Sequence, residues 1–399
     1  MVANRLRSTA RWLLSAAALM ALGGGVVLAQ SKPVTITFAE AMSSGTQKPT
    51  LDELVQAFEK ANPNIHVQLL VQPNYGTLYT KTLAMVAAGT PPTMAQAYEG
   101  WAQRYADSKA IVPLGSYIYG PHGLSTSELS SLWPPLIADM KLTDGKFWMM
   151  PFNKSDFVVF YNASWLAKNN LSVPATWTQF AKVAEQVTST ANKTWGLSID
   201  PGSKTGPANG TYMFVAMLHA FGGHVMQGDK VAWDSDAGVK ALTLLANLVD
   251  QGAVKIGTNY PGQTALGAER SPFDVSTIAG YPYEVAAVGG KFDLKVAPMP
   301  AGPAGAGNVL QGTNLVMFAK ATTAQRDAAW ALMKFLIQPA QTALWAEKTG
   351  YLPVTRDALP LMSDYLKTHP YQQIAAQSLA NAQPTPSLPH SEEMFGYLS

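Results

Sequence analysis

The strongest constraint on the fold is the alternation of strand-like and helix-like hydrophobic patterns near the beginning of the chain. Residues 34–38, 65–71 and 94–98 are short apolar runs typical of strands. Between them, residues 51–58 place apolar side chains at i, i+3, i+4 and i+7, and residues 78–88 form a second helical segment. Strands that alternate with helices in this order pair in parallel, with the helices on the faces of the sheet. The pattern predicts an α/β fold.

The alternation of strands and helices continues in the later parts of the chain. Residues 146–151 and 157–161 are predicted to be two strands joined by a short polar segment that contains Lys154. Residues 236–250 form a strongly amphipathic helix, and a further strand is predicted near residues 315–318. The α/β pattern therefore extends well beyond the first strands.

The first 29 residues have the pattern of a secretory signal peptide. Three arginines precede an apolar, glycine-interrupted run at 12–28, and Ala29 is a small residue suited to signal peptidase. The alternative is a transmembrane anchor, but the run is short for a bilayer span and is broken by glycines. Cleavage would leave Gln30 as the mature N-terminus, so we expect an exported, periplasmic protein.

Composition narrows the function further. The chain has no cysteine, which excludes disulfides, Cys-ligated zinc, a thiol nucleophile and the lipid-modified cysteine of a lipoprotein. Removal of residues 1–29 takes away three of the 28 basic residues and none of the 26 acidic ones, leaving 25 against 26. This balance indicates neither a nucleic-acid surface nor a polybasic membrane patch. About 370 mature residues exceed what one core usually organises, so two lobes are expected.

Motifs for catalysis are weak in this sequence. His219 and His224 are five residues apart, a spacing that matches neither a zincin helix nor a zinc finger. The chain has no Gly-x-Ser-x-Gly elbow and no Gly-x-x-x-x-Gly-Lys phosphate loop. Carboxylates are numerous enough for a glycosidase pair, so an exported carbohydrate-active enzyme is an alternative. We predict no catalytic residue, no metal and no cofactor.

Five stretches together resemble the extracellular solute-binding proteins of ABC importers, in the class that binds sugars and glycerol phosphate. They follow the family's order over nearly the whole mature chain. Within that class, residues 96–99 and 151–153 look most like the glycerol-3-phosphate-binding proteins. The five stretches are AFEKANPNIHV (57–67), AGTPPTMAQAYEGWAQRYADSKAIVPL (88–114), MPFNKSDFVVFYNASWLAKNNL (150–171), AWDSDAGVKALTLLANLVDQG (232–252) and WALMKFLIQPAQTALWAEKTGYLPVT (330–355).

The resemblance implies a periplasmic-binding-protein fold, in which two α/β lobes are joined by a hinge and enclose a ligand in the cleft between them. It also implies a monomer that catalyses nothing and whose partners are the membrane permease subunits of an importer. The expected chain crossings between the lobes lie near residues 153–155, 277–281 and 338–344. The expected lobes are 30–154 with 282–338 for the N-terminal lobe, and 155–281 with 339–399 for the C-terminal lobe.

Seven ligand-binding residues are implied by the resemblance, and they are Tyr75, Glu99, Trp101, Ser155, Tyr212, Gly312 and Tyr351. A polyol needs hydrogen-bond partners for its hydroxyls and an aromatic face for its C–H surface. Glu99 follows a predicted parallel strand, where open α/β sheets bind ligands, and its carboxylate can accept two hydroxyl hydrogen bonds. The alternatives are a solvated loop acid for Glu99, a simple turn residue for Ser155, an ordinary strand glycine for Gly312 and core packing for Trp101.

The chain departs from the glycerol-3-phosphate binders where those proteins hold phosphate. Their phosphate-binding arginine is missing, because the corresponding residues 388–393 read Leu-Pro-His-Ser-Glu-Glu. A phosphate dianion needs fixed positive charge or several oriented N–H groups to offset its desolvation. Lys154 is either a substitute phosphate partner or a solvated lysine in a turn. Serines expected near residues 279–282 are also replaced, by Ala-Gly-Tyr-Pro.

The sequence therefore predicts a periplasmic solute-binding protein that captures glycerol 3-phosphate or a glycerophosphodiester by lobe closure and delivers it to a membrane permease. A sugar or oligosaccharide is the alternative ligand. A secreted hydrolase of glycans or glycerophosphodiesters and a structural envelope protein are the alternatives from other classes.

Overall fold

The computed structural model describes residues 33–203 and 206–398, and the predicted signal peptide at 1–29 lies outside them. In this part of the chain the strands are β1 (Val34–Glu40), β2 (Ile65–Val71), β3 (Met94–Ala97), β4 (Met150–Asn162), β5 (Leu197–Ile199), β6 (Gly202–Ser203), β7 (Gly206–Pro207), β8 (Met226–Gln227), β9 (Lys230–Val231), β10 (Val254–Ile256), β11 (Phe273–Thr277), β12 (Leu294–Pro298), β13 (Asn308–Met317) and β14 (Ala382–Gln383).

The α-helices surround these strands in the alternation that the sequence predicts. They are α1 (Gln47–Ala61), α2 (Tyr75–Ala87), α3 (Glu99–Asp107), α4 (Gly115–Ile118), α5 (Thr126–Ser131), α6 (Pro134–Asp139), α7 (Ala163–Lys168), α8 (Trp177–Val187), α9 (Asn209–Ala220), α10 (Asp236–Asp250), α11 (Pro261–Gly267), α12 (Tyr281–Val288), α13 (Thr323–Leu336), α14 (Pro339–Thr349), α15 (Ser363–Thr368), α16 (Pro370–Ser378) and α17 (Ser391–Gly396).

A mixed sheet of eight strands holds the fold together, with the order β11-β4-β13-β3-β1-β2 and with β12 and β14 beside β4 and β13. β1 pairs in parallel with both β2 and β3, and α1 and α2 supply the crossovers. The parallel β-α-β-α-β unit predicted from the sequence is therefore confirmed. β4 and β13 are antiparallel to each other and to their remaining long neighbours.

β4 is one unbroken strand of 13 residues, so the prediction of two strands joined by a polar turn is wrong. Its polar residues at 153–156 are buried like the apolar residues around them. The reason lies in the sheet, because β13 pairs with the first half of β4 while β11 and β12 pair with its second half. A strand paired along both halves has its backbone groups satisfied without a turn.

Two large hydrophobic cores lie on opposite faces of β4. Val158 and Phe160 pack into one core, and Phe157 and Val159 pack into the other. This division follows from the strand period of two, which sends successive side chains to opposite faces. A sheet covered on both faces is the expected arrangement of an α/β fold.

The lobe boundaries drawn from the sequence stay a prediction. β12 lies within 282–338, the segment predicted for the N-terminal lobe. It pairs with residues 158–162 of β4, which the sequence assigns to the C-terminal lobe. β13 pairs with β14 near one end and with β3 near the other, so it connects the two regions of the sheet.

Membrane insertion was considered for the helices of the described region. Across residues 33–203 and 206–398, no helix combines the length and the apolar character that a bilayer crossing requires.

Candidate functional site

Glu99 lies at the junction between a parallel strand of the sheet and the following helix. β3 ends at Ala97, Tyr98 adopts an extended conformation, and Glu99 is the first residue of α3. The carboxyl ends of parallel strands are where open α/β sheets bind ligands. Glu99 is only 5% exposed, so it is not the solvated loop acid that was the alternative.

A buried charge cluster surrounds this carboxylate. The Nζ atom of Lys154 lies 2.6 Å from Asp139 Oδ2 and 3.2 Å from Glu99 Oε1, and it also donates to the carbonyl of Gly312 at 3.3 Å. Lys154 is fully buried in the middle of β4. It is therefore not a solvated lysine in a turn, and its charge is already shared between two acids.

The pKa values of the cluster follow from burial and from this crowding. Burial raises the pKa of the Glu99 carboxyl, repulsion from Asp139 raises it further, and Lys154 only partly opposes both. Burial alone would lower the pKa of the Lys154 ammonium, but the attraction of Asp139 and Glu99 outweighs it and raises the pKa. The lysine therefore stays charged, while the acid facing the cleft gains a proton readily.

Asn314 completes the cluster. Its Nδ2 atom donates to Asp139 Oδ2 at 2.8 Å and to Glu99 Oε1 at 3.2 Å. Asp139 and Asn314 were missed from the sequence. The available signal was an acid inside the apolar helix PPLIAD and an amide inside the apolar strand end NLVM, because buried polar residues of this kind need partners.

A second polar network joins two of the predicted tyrosines. The hydroxyls of Tyr75 and Tyr351 lie 3.3 Å apart, and Asn153 Nδ2 donates to the Tyr75 hydroxyl at 2.8 Å. Gln96 in turn donates to Asn153 Oδ1 at 2.9 Å. Tyr98 directly precedes Glu99 in the chain, and its ring centroid lies 5.3 Å from that of Tyr75. The tyrosine pair and the charge cluster are thus neighbours.

Gly312 allows the backbones of β4 and β13 to come close together. Its φ of +87° lies in the region that favours glycine, and the strand register shifts between Gly312 and Asn314. A Cβ atom at this position would lie 1.9 Å from the carbonyl oxygen of Asn153. Glycine is therefore required here, and it leaves the Gly312 carbonyl free to face Lys154.

Three of the predicted site residues line one narrow cleft. The lining is formed by Tyr98, Glu99, Gly100, Tyr212, Leu310, Gln311, Gly312, Thr385, Ser391 and Phe395. Glu99, Gly312 and Tyr212 are thus brought together from α3, β13 and α9. Thr385, Ser391 and Phe395 belong to the C-terminal segment, which the sequence connected with ligand only through its missing arginine.

The remaining predicted residues lie close to the cleft lining. Ser155 is buried in β4 opposite Gln311 of β13. Trp101 stacks on Tyr79 with ring centroids 4.6 Å apart and belongs to a packed cluster, as its core-packing alternative supposed. A ligand-binding role stays a prediction for these two residues, as it does for the other five predicted site residues.

One histidine of the pair contacts the backbone of the sheet. His219 Nδ1 lies 3.1 Å from the carbonyl oxygen of Asn308 on β13. Among the residues that are described, no group of three or more His, Cys, Asp or Glu side chains is arranged to hold a metal ion.

The fold and the cleft define the class of protein. A mixed α/β sheet carries a narrow cleft at the carboxyl end of a parallel strand, lined by an acid, aromatic rings and backbone. Concave sites lined by aromatic rings and a few polar groups are where proteins bind small molecules. The chain belongs to the bacterial extracellular solute-binding protein family, whose sequence profile matches residues 53–371.

Relatives with known names include a glycerol-phosphate binder. The sn-glycerol-3-phosphate-binding periplasmic protein UgpB of Salmonella paratyphi A is 26% identical over 382 residues, covering 88% of this chain and 82% of that protein. A putative binding protein of Brucella abortus is 23% identical over 388 residues, covering 96% of this chain and 89% of that protein.

Solved structures with the same fold bind different ligands. The GacH receptor of Streptomyces glaucescens, solved unliganded and with acarbose, has a TM-score of 0.77 at 22% identity and covers 92% of this chain and 91% of its own. UgpB from Mycobacterium tuberculosis, in complex with glycerophosphocholine, has a TM-score of 0.77 at 20% identity, with coverages of 89% and 88%. At these identities the likeness confirms the two-lobed α/β fold class alone.

Proposed function

We propose that the chain is the periplasmic receptor of an ABC importer and that its ligand is an uncharged polyhydroxylated compound, a sugar or a polyol. In this proposal the ligand makes contacts on both sides of the cleft and so favours the closed form. The closed form then docks on the membrane permease. Family membership supports the receptor role, and the charge of the cleft supports the choice of ligand.

The observation that carries this choice of ligand is the absence of available positive charge. Among the described residues that line the cleft, Glu99 is the one acid and there is no base. The nearby ammonium of Lys154 is buried between Asp139 and Glu99. A phosphate dianion would lose its hydration without gaining a cation, which is costly. An uncharged ligand avoids this cost.

The polar groups that remain suit hydroxyls. The carboxylate of Glu99 accepts hydrogen bonds, and the hydroxyls of Tyr75 and Tyr351 both donate and accept. The ring of Tyr212 at the opposite wall offers an aromatic face for C–H groups. Together these groups match alternating hydroxyl and C–H surface of the kind a sugar or polyol presents.

Glycerol 3-phosphate or a glycerophosphodiester is the second candidate ligand. The similarity to the Salmonella glycerol-3-phosphate-binding protein favours it. In this chain the phosphate would depend on backbone N–H donors, because Lys154 is already paired.

A receptor fits the two carboxylates better than a hydrolase does. Asp139 is fully buried and bonded to Lys154, so it does not face a substrate. Glu99 contacts the same ammonium, so Lys154 Nζ bridges the two carboxyl groups that a glycosidase would place on either side of the scissile bond. We therefore propose that the protein binds its ligand and releases it without chemical change.

The test is a thermal-shift screen of the protein purified from the periplasm of an expressing host. The compounds are glucose, maltose, glycerol, glycerol 3-phosphate and glycerophosphocholine. We expect saturable stabilisation by a sugar or by glycerol and none by glycerol 3-phosphate. Stabilisation by the phosphorylated compounds alone would overturn the choice of ligand. Conversion of a compound, followed by chromatography, would overturn the receptor role.

The role of Glu99 is tested by calorimetric titration of Glu99→Ala with the stabilising compound. We expect binding to weaken by about 1–3 kcal/mol, because a hydrogen-bonding carboxyl group in a desolvated cleft is lost. Glu53→Ala is the matched control, since Glu53 forms an exposed ion pair with Lys348 at 2.6 Å. Equal affinities of the two variants would remove Glu99 from the site.

Export and oligomeric state are tested on the same preparation. We propose cleavage after Ala29, which an intact mass beginning at Gln30 would support and an uncleaved mass would contradict. We also propose a monomer, which light scattering on a sizing column measures.

A further inference from the structure

The C-terminal segment, residues 382–398, follows a stiff path from the sheet to the cleft. It starts as β14, whose Ala382 and Gln383 pair with Asn308 and Val309 of β13. The next residues, Pro-Thr-Pro-Ser-Leu-Pro, contain three prolines. Proline fixes its own φ and keeps the residue before it extended. Thr385 stands between two of these prolines, so its side chain is presented in a restricted direction.

Thr385 forms a hydrogen bond with Glu99, the acid in the cleft. Its Oγ1 atom donates to Glu99 Oε2 at 2.8 Å. The other carboxylate oxygen, Oε1, already accepts from Lys154 and Asn314, both at 3.2 Å. Oε2 is therefore the oxygen on which a ligand hydroxyl would be bound, and the hydroxyl of Thr385 lies there.

The segment also packs against the backbone at the start of α3. A Cβ atom placed on Gly100 would lie 1.9 Å from Ser391 Oγ and 2.8 Å from the carbonyl oxygen of Leu388. Only a glycine leaves room for this approach, and Ser391 is itself buried. The contact with α3 thus has a close fit along several residues of the segment.

Phe395 fixes the far end of the segment on the opposite wall. It is 1% exposed and belongs to the core built around α8 and α9. Its ring lies 5.4 Å from that of Tyr212 and 6.4 Å from that of Trp233. The segment therefore touches α3 on one side of the cleft and α9 on the other.

We propose that residues 382–398 form a latch that competes with the ligand for Glu99. Thr385 donates to the carboxylate oxygen that a ligand hydroxyl needs, and a ligand binds by displacing Thr385 while Phe395 keeps the segment attached. The inference rests on the proposed function, because it takes Glu99 as the acceptor of ligand hydroxyls. The free energy needed to release the latch is subtracted from the ligand's binding free energy, so the latch lowers the affinity. It also favours ligands whose hydroxyl forms a stronger hydrogen bond with Glu99 than Thr385 does.

The test compares Thr385→Val with Ser387→Ala. Valine keeps the shape of threonine without its hydroxyl, while Ser387 is a hydroxyl residue of the same segment that faces the carbonyl of Lys141 at 3.5 Å. The first measurement is amide hydrogen exchange of residues 385–391, the part of the segment next to Thr385, without added ligand. The second is calorimetric titration with maltose or, where maltose does not bind, with glycerol 3-phosphate.

We expect Thr385→Val to speed exchange in these residues several-fold and to tighten binding about tenfold, which corresponds to the loss of one competing hydrogen bond. Ser387→Ala is expected to change neither quantity. Unchanged exchange in Thr385→Val would overturn the latch, and so would weaker binding, which would make Thr385 a ligand contact. Binding of glycerol 3-phosphate but not of maltose would count against the proposed ligand class without affecting the latch, and if neither probe binds, the exchange measurement decides on the latch.

Discussion

Lys154 and Asp139 form an ion pair with Nζ 2.6 Å from Oδ2, and neither side chain reaches solvent. One partner lies in the middle of a strand and the other at the end of a short helix, 15 residues before it. Burial of two charges costs several kcal/mol per ion unless each is paired and hydrogen-bonded. The pair therefore requires β4 and α6 to pack so that the two charges meet. It also keeps the charge of Lys154 from being available to a ligand in the cleft.

Asp139→Asn is expected to destabilise the protein strongly. The variant keeps the shape of the side chain but leaves Lys154 with Glu99 as its one remaining acid in the cluster, and breaking a buried pair costs about 3–5 kcal/mol. The measurement is urea unfolding followed by circular dichroism. Asp364→Asn is the control, because Asp364 pairs with Lys367 on the surface and such pairs contribute at most about 1 kcal/mol. Equal effects of the two substitutions would contradict the importance of the buried pair.

Tyr351→Phe is expected to weaken ligand binding about tenfold while unfolding changes by less than about 1 kcal/mol. The variant removes the hydroxyl that lies 3.3 Å from the Tyr75 hydroxyl, but the ring still stacks on Trp345. Calorimetric titration and urea unfolding measure the two quantities. Tyr119→Phe, at a tyrosine that is 65% exposed, is the control for loss of a hydroxyl. Wild-type affinity in Tyr351→Phe would place this tyrosine outside the site.

Gly312→Ala is expected to destabilise the protein more than Gly145→Ala, because it adds a steric clash to the same backbone strain. Gly145 is the comparison, because its φ of +73° is similar and a Cβ atom there meets nothing within 4 Å. Gly145→Ala should cost about 1–2 kcal/mol for the left-handed backbone. Gly312→Ala should cost about 1–3 kcal/mol more, because its Cβ would press on the Asn153 carbonyl. Similar unfolding free energies of the two variants would rule out this close approach.

Stability is expected to fall as the pH rises, owing to a second pair of buried acids. Burial raises the pKa of the Glu284 carboxyl from its ordinary value of 4.5 to about 9, and repulsion from Asp274 contributes. The folded protein therefore holds this proton more tightly than the unfolded chain does. The contribution of Glu284 is complete below about pH 4.5 and is lost as the pH approaches 9, by at most about 1.4 kcal/mol per pH unit.

Urea unfolding at pH 6 and pH 8.5 measures this effect. Glu284→Gln should lose less stability between the two pH values than the wild type does, because it has no proton to release. Glu53→Gln, at an exposed acid, should follow the wild type. The Glu99 carboxyl also has a raised pKa and titrates in all three proteins, so it cancels in the comparison. Parallel behaviour of Glu284→Gln and the wild type would refute the prediction.

Regular elements of the fold could be predicted with their bounds where the period is complete. β2 and α10 occupy Ile65–Val71 and Asp236–Asp250, as their apolar patterns indicate. β4 could not be predicted, because its polar residues at 153–156 have the local pattern of a turn. Their partners come from β13, α2 and α6, and such distant partners leave no trace in the local pattern.

The candidate site divides in the same way. Glu99, Gly312 and Tyr212 were identified by resemblance, and the structure brings them to one cleft. Asp139, Asn314 and Thr385 were not identified, because each acts through partners on other elements of the fold, most of them far away in the chain. Asn314 is 215 residues from Glu99, and Thr385 is 286 residues from it. No period or motif connects residues over such separations, whereas the folded sheet does.

The continuity of β4 has a mechanical consequence for the proposed closure. β4 and β13 stay hydrogen-bonded to each other through the region where the predicted lobes meet, except at the bulge between Gly312 and Asn314. A rotation there twists a two-stranded ribbon instead of swinging a loose loop, and the angular change is divided among many φ and ψ angles. In the proposed closure, such a ribbon would resist twisting elastically, and part of the ligand's binding free energy would be stored as strain in β4 and β13 until the ligand is released.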